Sequence, residues 1–212
     1  MRILPAVLIS AALCACESKP DSAMTTGTTT PALGTVDATE GKVELRHDGT
    51  LAPAAKGQEV ANGDALRTGK DSRARLTLSE GSVLAVGPSS TVELPGYSVK
   101  SDRRSGTLKV VAGQFWLRVV ELAGVDTEIS IETPAAVAGI RGTTVWGDTE
   151  RDVICALAGS VEVTPKNGSA QMLKPGECLG QLSSDAQKVI PEAKQVGVYL
   201  NEVHIGEPLE AK

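Results

Sequence analysis

Cysteine is the residue type with the clearest potential for chemistry in this chain of 212 residues, and its four copies fall into two groups. Cys14 and Cys16 directly follow an apolar run near the N-terminus, whereas Cys155 and Cys178 lie far downstream. A thiol behind an N-terminal apolar run can become a lipid acceptor during export. A distant pair of thiols can form a disulfide in an oxidising compartment.

The first pair lies at the end of an export signal. Met1-Arg2 provide a positive start, and the apolar run over residues 3–13 is far shorter than the roughly 20 residues that span a membrane. The run ends in Leu13-Cys14-Ala15-Cys16, which fits a lipobox: an aliphatic residue, a small residue, Ala and then the acceptor cysteine. We therefore predict that residues 1–15 are a lipoprotein signal peptide and that Cys16 is the lipidation site. The alternative is an ordinary signal peptide that happens to contain cysteines, although its A-x-A cleavage site would be poorer.

Lipidation at Cys16 would make acyl chains such as palmitate the only membrane anchor, because no other stretch is long and apolar enough for a transmembrane helix. The predicted location is therefore the bacterial cell envelope, with the protein facing the periplasm. In enterobacterium-like envelopes an Asp after the lipidated cysteine favours retention at the inner membrane. Glu17 in this position favours the outer membrane.

The second pair, Cys155 and Cys178, holds the only thiols left after cleavage and lipidation. In an oxidising envelope we expect them to form a disulfide, which would stabilise the fold by about 3 kcal/mol through its effect on the unfolded chain. The alternative is a pair of reduced cysteines buried as small apolar side chains.

Other residues do not form a recognisable catalytic or metal site. The chain has no G-x-S-x-G, H-E-x-x-H, C-x-x-C, P-loop or G-x-G-x-x-G motif. Asp148, Glu150 and Asp152 could hold calcium, but they lack the ligand pattern and central glycine of a calcium loop, which favours a solvated turn. His47 and His204 have no partners at metal-ligand spacing. We therefore predict no enzyme activity, no metal and no cofactor.

Charge and composition exclude two further classes of function. The net charge is −5 and the sequence has no basic stripe, so we expect no nucleic-acid partner, because such binding depends largely on neutralising phosphates. Only five aromatic residues are present, which argues against stacking platforms for carbohydrate or single-stranded nucleic acid.

The predicted elements divide the chain into a tether, a domain and an extension. Residues 16–36 are rich in Thr, Ser, Gly and Pro and predict a flexible linker behind the lipidated cysteine. Residues 37–183 contain short β-branched runs separated by turn residues at roughly 8–12-residue spacing. This pattern predicts an all-β domain of many short antiparallel strands in a two-layer sandwich or β-roll. In the extension, residues 184–212, a 3.6-residue apolar period after Pro191 favours a short helix over an edge strand.

One stretch of this domain resembles a known family. The segment from Glu132 to Thr143 reads "TP", a run of small residues and then "RGT", and is similar to the signature of the FecR domain. Upstream, residues 63–69 resemble the family's "GD-x-[LIV]-x-TG" segment, and residues 71–82 its following hairpin. Downstream, residues 159–163 and 175–177 match its closing pattern. The resemblance covers about residues 41–182.

The resemblance implies a non-catalytic binding module. Archetypal members combine a sigma-factor-binding cytoplasmic segment, a transmembrane helix and a periplasmic part that receives a signal, and we expect this chain to hold only the isolated FecR module on a lipid tether. It implies a protein- or ligand-binding role in envelope signalling or complex assembly, with an unidentified envelope protein as partner. The alternative is an accessory cell-wall or polysaccharide-binding lipoprotein, since FecR-like modules also occur beside wall-binding ones.

The motif residues allow a structural and a binding interpretation. They are Thr133, Pro134, Arg141, Gly142, Thr143, Gly63 and Asp64. Pro134 should end the preceding strand because it restricts the residue before it. Arg141 offers five donors in a fixed planar arrangement. We favour a structural role in which a buried Arg141 pairs with an acid such as Asp64 or Glu162, and the alternative is an arginine that binds a ligand or partner.

Overall fold

The computed structural model describes residues 32–206, in which two nine-stranded sheets and one short helix are formed. The first, sheet I, contains β1 (Ala32–Glu40), β4 (Glu59–Ala61), β6 (Arg73–Leu78), β7 (Val83–Val86), β10 (Gln114–Arg118), β13 (Thr144–Asp148), β14 (Val153–Ala158), β17 (Cys178–Gly180) and β18 (Gln187–Val189). The second, sheet II, contains β2 (Val43–His47), β3 (Thr50–Pro53), β5 (Ala65–Thr68), β8 (Thr91–Val99), β9 (Arg103–Ala112), β11 (Asp126–Glu132), β12 (Ala136–Ile140), β15 (Val161–Pro165) and β16 (Gln171–Leu173). The prediction of an all-β, two-layer domain of many short strands is confirmed.

The chain alternates between the two sheets, one strand or one hairpin at a time. The spatial order is β18-β17-β14-β13-β10-β7-β6-β1-β4 in sheet I and β16-β15-β12-β11-β9-β8-β5-β2-β3 in sheet II. Among the described strands, β9 and β11 pair in parallel and the other pairs are antiparallel. Each sheet is therefore assembled from strands that are separated in sequence by strands of the other sheet.

The main core lies between the two sheets and follows from strand alternation. In β6, Ala74, Leu76 and Leu78 are buried and the residues between them are half-exposed. In β9, Leu108 and Val110 are buried in the same way and meet the residues of sheet I. Because successive side chains point to opposite faces of a strand, each layer contributes one apolar face to this core.

A second core covers the outer face of sheet I. There β7 is buried at all four positions and β13 at all five, so these strands have cover on both faces. The cover is the helix α1 (Ala193–Val203), whose Val203 packs onto Trp116 and Trp146. The predicted C-terminal helix is thus confirmed, beginning two residues after Pro191. Among residues 32–206, no helix has the length and apolar character needed to cross a membrane.

The structure corrects the predicted boundaries of the linker. β1 begins at Ala32, and its Leu33 and Val36 are buried, so the prediction of a flexible linker is wrong for residues 32–36. The Thr- and Gly-rich composition misled the prediction, because β1 gains order from pairing with both β4 and β6. The predicted signal peptide, Cys16 and the linker up to residue 31 lie outside the described residues.

The second cysteine pair forms the predicted disulfide. Cys155 in β14 and Cys178 in β17 stand directly opposite each other and are bonded. Both are 1% exposed, and both belong to the second core, beneath α1. The bridge therefore links two strands that are already neighbours and sits on the face that carries the helix.

Replacing both cysteines, Cys155→Ala with Cys178→Ala, should lower the free energy of unfolding by about 3 kcal/mol, because the bridge closes a loop spanning 23 positions of the unfolded chain. Urea unfolding of the variant and of the oxidised wild type measures this difference. Wild-type protein unfolded with reductant should match the variant. Equal midpoints for the oxidised wild type and the variant would contradict the prediction.

Candidate functional site

The motif residues Gly63 and Asp64 form a crossing from sheet I to sheet II. Gly63 has a φ of +93°, which a side chain would disfavour. Asp64 is 2% exposed, and its carboxylate accepts a hydrogen bond from the Ala61 N–H at 2.8 Å. Its backbone carbonyl accepts the N–H of Leu94 at 2.9 Å. Asp64 therefore satisfies backbone groups at the point where the chain leaves one layer for the other.

The carboxylate of Asp64 also holds a half-exposed histidine. Its Oδ1 lies 2.8 Å from Nδ1 of His47, the last residue of β2. The hydrogen bond to Asp64, followed by the charge of that carboxylate, raises the pKa of His47 above its ordinary value. This hydrogen bond connects the crossing to the end of β2.

Thr133 and Pro134 form the β11–β12 turn within sheet II. The Thr133 hydroxyl accepts a hydrogen bond from the Ala136 N–H at 3.0 Å and contacts the Ala136 carbonyl at 3.1 Å. β11 ends at Glu132, as Pro134 predicts, and Pro134 itself is exposed. These residues close a hairpin, and they line a small cavity together with Asp148 and Asp152, whose carboxylates are engaged in turn hydrogen bonds.

Arg141, Gly142 and Thr143 form the crossing from β12 in sheet II to β13 in sheet I. Gly142 has a φ of +58°, and the Thr143 carbonyl accepts the Val119 N–H at 2.9 Å. A Cβ on Gly159 would lie 2.4 Å from Cγ2 of Thr143, so the crossing packs directly on the turn after β14. This crossing therefore needs glycine at position 142 for its backbone conformation and at position 159 for the close approach of the neighbouring turn.

The prediction of a buried, paired Arg141 is wrong. Arg141 is exposed, and within residues 32–206 it makes no hydrogen bond or ion pair. Ile140 faces the core, so strand alternation directs the next residue outward. The two acids expected as partners are elsewhere: Asp64 is bonded to His47 and Ala61, and Glu162 is exposed opposite Gly139 in the β12–β15 ladder.

The buried arginine of this fold is Arg104, which the sequence analysis missed. Its side chain is 0% exposed, and its Nη2 donates to the Val120 carbonyl at 2.6 Å and to the Thr127 hydroxyl at 3.1 Å. Its Nη1 lies 3.5 Å from both Ser82 Oγ and Glu80 Oε1. A signal was present, because counting back by twos from the core residues of β9 places residue 104 on the inner face.

Glu80 and Tyr97 complete this buried network. Glu80 lies in the β6–β7 turn with a side chain 4% exposed, and the Tyr97 hydroxyl donates a hydrogen bond to its Oε1. Burial first, and then the Glu80 carboxylate, raise the pKa of Tyr97 well above its ordinary value. Because Glu80 belongs to a turn of sheet I and Arg104 and Tyr97 to sheet II, the network joins the two layers.

The acidic cluster of the sequence analysis forms a turn. The Asp148 carboxylate accepts the N–H groups of Glu150 and Arg151 at 2.7 and 3.1 Å and the Arg151 guanidinium at 2.7 Å. The Asp152 carboxylate accepts the N–H and the hydroxyl of Ser183. The described residues hold no group of three or more metal-ligating side chains.

An open groove lies on the outer face of sheet II. It is a groove of about 480 Å³ whose lining includes Ser105, Thr107 and Ser130, with Glu128 at its side. The hydroxyls of Thr107 and Ser130 lie 3.1 Å apart and bond to each other. This surface offers polar groups for contact with a partner, without a nucleophile–base pair.

The two arginines should respond differently to truncation. Arg104→Ala should lower the free energy of unfolding by about 3–5 kcal/mol, because it leaves the buried Glu80 carboxylate without its cation. Arg141→Ala, the matched control, should change it by less than about 0.5 kcal/mol, as expected of an exposed residue. Chemical unfolding of both variants measures the difference. A larger loss for Arg141→Ala than for Arg104→Ala would reverse the assignment.

The His47–Asp64 pair should make stability depend on pH. A raised folded-state pKa means that the stabilisation is fully present below the ordinary histidine value near 6.5 and is lost as the pH rises through the folded value. The thermal midpoint of wild type should therefore exceed that of His47→Gln by more at pH 5.5 than at pH 8.5. His204→Gln serves as the control. A difference that stays constant with pH would contradict the prediction.

The fold and its crossings match known proteins. The family model described as "FecR protein" matches residues 64–171, half of the chain. Two crystal structures of a "putative anti-sigma factor" from Parabacteroides distasonis ATCC 8503, at 1.65 Å and 2.50 Å resolution, superpose with a TM-score of 0.52 and 19% sequence identity. The match covers 64% of this chain and 64% and 63% of the two solved chains, less than two thirds of their length.

At this identity the crystal structures show the shared fold alone, and no curated protein matches the chain. The family model carries the assignment. Its match begins at Asp64, within the first crossing, and includes the hairpin at Thr133-Pro134 and the second crossing at residues 141–143. This chain belongs to the FecR family.

Proposed function

We propose that this protein is a non-catalytic FecR-domain lipoprotein of the bacterial envelope that binds a protein partner in envelope signalling or complex assembly. It is anchored through a lipid on Cys16 and faces the periplasm, with the outer membrane favoured over the inner one by Glu17. Membership of a regulatory, envelope-associated family supports this role.

The observation that carries the proposal is that the buried motif residues hold turns and crossings together. Asp64, Thr133 and Thr143 are buried and take part in turns and crossings, and Arg104 and Glu80 bind each other. Side chains engaged in this way maintain the fold, so recognition is left to the exposed surfaces. A binding module with a rigid two-layer scaffold fits this division better than an enzyme does.

The structural likeness to an anti-sigma factor supports a role in signalling. The chain spans less than two thirds of the solved protein, so any activity of the whole protein, including a link to a sigma factor, is part of the proposal. A periplasmic lipoprotein would act on such a pathway through another envelope protein.

The placement of the aromatic residues counts against the alternative of a cell-wall or polysaccharide binder. Phe115, Trp116, Trp146 and Tyr97 are buried, and Tyr199 stacks on Trp146 with ring centroids 4.0 Å apart. Four of the five aromatic residues are therefore buried, and the partly buried fifth, Tyr199, has Trp146 on one ring face and the Arg151 guanidinium 5.5 Å from its centroid.

The anchor is tested by replacing single cysteines. Cys16→Ala should abolish labelling by a fatty-acid analogue and move the protein to the soluble fraction. Cys14→Ala is the matched control, because it changes the neighbouring leader cysteine and keeps the acceptor. Labelling and fractionation of the three proteins in one host give the answer. Retained label and unchanged membrane association of Cys16→Ala would refute the anchor.

The type of partner is tested in the same cells. A photoreactive residue at Thr107, in the groove of sheet II, should form a defined adduct with an envelope protein, which mass spectrometry identifies. Sedimentation of the purified protein with peptidoglycan is the parallel assay. Cosedimentation without any protein adduct would favour the cell-wall alternative and contradict the proposal.

A further inference from the structure

The outer face of sheet I carries an apolar platform that α1 covers. It is built from Trp116 in β10 and Trp146 in β13, with the disulfide Cys155–Cys178 beside them. These strands are central in the sheet and paired on both sides, so the platform is rigid. We call this surface the tryptophan platform.

Near its C-terminal end, α1 packs on the tryptophan platform with Tyr199, Leu200 and Val203, and Glu202 binds Arg151. Tyr199 stacks on Trp146 with an interplanar angle of 3°, and Val203 is fully buried. Between them along the sequence, the Glu202 carboxylate receives two hydrogen bonds from Arg151 at 2.6 and 2.7 Å. The aromatic, acidic and apolar anchors thus follow the helical spacing i, i+3 and i+4.

The helix itself is weakly encoded. It has 11 residues, its N-cap Glu192 makes no side-chain cap, and no acidic residue in its first turn or basic residue in its last turn complements the helix dipole. Gly197 lies in its middle, and a Cβ there would meet nothing within 4 Å. A helix of this length and composition depends on its docking surface for its order.

α1 is also an incomplete occupant of the platform. The indole N–H groups of Trp116 and Trp146 and the Oε1 of Gln114 are buried, and within the described residues they have no hydrogen-bond partner. Buried donors without acceptors cost free energy, which a better-matched segment would recover. An occupant that brings a carboxylate or amide oxygen to the indoles would therefore compete with α1.

We propose that the tryptophan platform is a docking site for a helix of a partner protein, which α1 occupies in its absence. The partner helix carries an aromatic residue, an acidic residue three positions later and an apolar residue one position after that, as Tyr199, Glu202 and Val203 do in α1. It also presents a carboxylate or amide oxygen to the indole N–H groups that α1 leaves without an acceptor. The inference deepens the proposed function by naming the partner's chemistry, and its test needs only the purified chain.

The chain offers a selective reporter and a set of matched variants. Its only two tryptophans form the platform, so tryptophan emission reports on this site alone. Tyr199→Ala removes the stack and loosens α1, whereas Gly197→Ala strengthens the helix without a steric clash. Lys194→Arg, at an exposed position where the charge and the helix propensity stay nearly the same, is the control substitution in α1.

The probe is a labelled synthetic peptide of residues 190–206 with Ala in place of Gly197. It should bind the Tyr199→Ala chain at least about ten times more tightly than wild type, and the Gly197→Ala chain about five times more weakly, the factor given by the Gly–Ala difference in helix propensity. Lys194→Arg should behave as wild type. Binding should restore the wild-type tryptophan emission of the Tyr199→Ala chain.

Three results would overturn the proposal: no binding of the peptide to the Tyr199→Ala chain, equal binding of a peptide with Ala at positions 199 and 202, or a wild-type dimer formed by exchange of α1. If Tyr199→Ala does not fold, an unchanged affinity of Gly197→Ala relative to wild type also overturns it. Failure of the peptide to bind would refute the docking site on sheet I only. The proposed function is tested separately by the crosslinking at Thr107, which reports on sheet II.

Discussion

The constraint on which this structure depends is the repeated passage of one chain between two sheets. Each crossing takes backbone N–H and C=O groups out of a ladder while they remain buried, so they need other partners. Buried polar side chains supply them: Asp64 bonds the Ala61 N–H, Thr68 bonds the Gly87 carbonyl at 2.6 Å and the Ser90 N–H at 2.9 Å, and Ser90 bonds the Gln114 N–H at 2.8 Å. The two-layer core forms only because these groups are satisfied.

The same constraint explains the glycines at two of the turns. A Cβ on Gly113 would lie 2.1 Å from Ser90 Oγ, and one on Gly159 would lie 2.4 Å from Thr143 Cγ2. Neighbouring crossings therefore touch, and a small residue in one turn makes room for the polar residue of the other. The family signature therefore describes how the chain changes layers.

The two faces that remain differ in kind. The outer face of sheet II is open and carries a polar groove, whereas that of sheet I carries an apolar platform covered by α1. The disulfide and the central strands keep the tryptophan platform in place, while α1 is held mainly by Tyr199, Glu202 and Val203. A rigid surface beneath a weakly encoded helix is the arrangement that the proposed docking of a partner helix requires.

The sequence by itself determined the layer type, the turn at Thr133-Pro134, the C-terminal helix and the pairing of Cys155 with Cys178, because each follows from local periodicity, turn chemistry or the count of thiols. The tertiary structure alone decided the start of β1 and the order of the strands, since pairing partners lie far apart in the chain. It also decided which arginine is buried. Arg104 lies in β9 and Arg141 directly follows β12, but the inner face is defined only once a strand has a register. That register places Arg104 against Glu80 and leaves Arg141 in solvent.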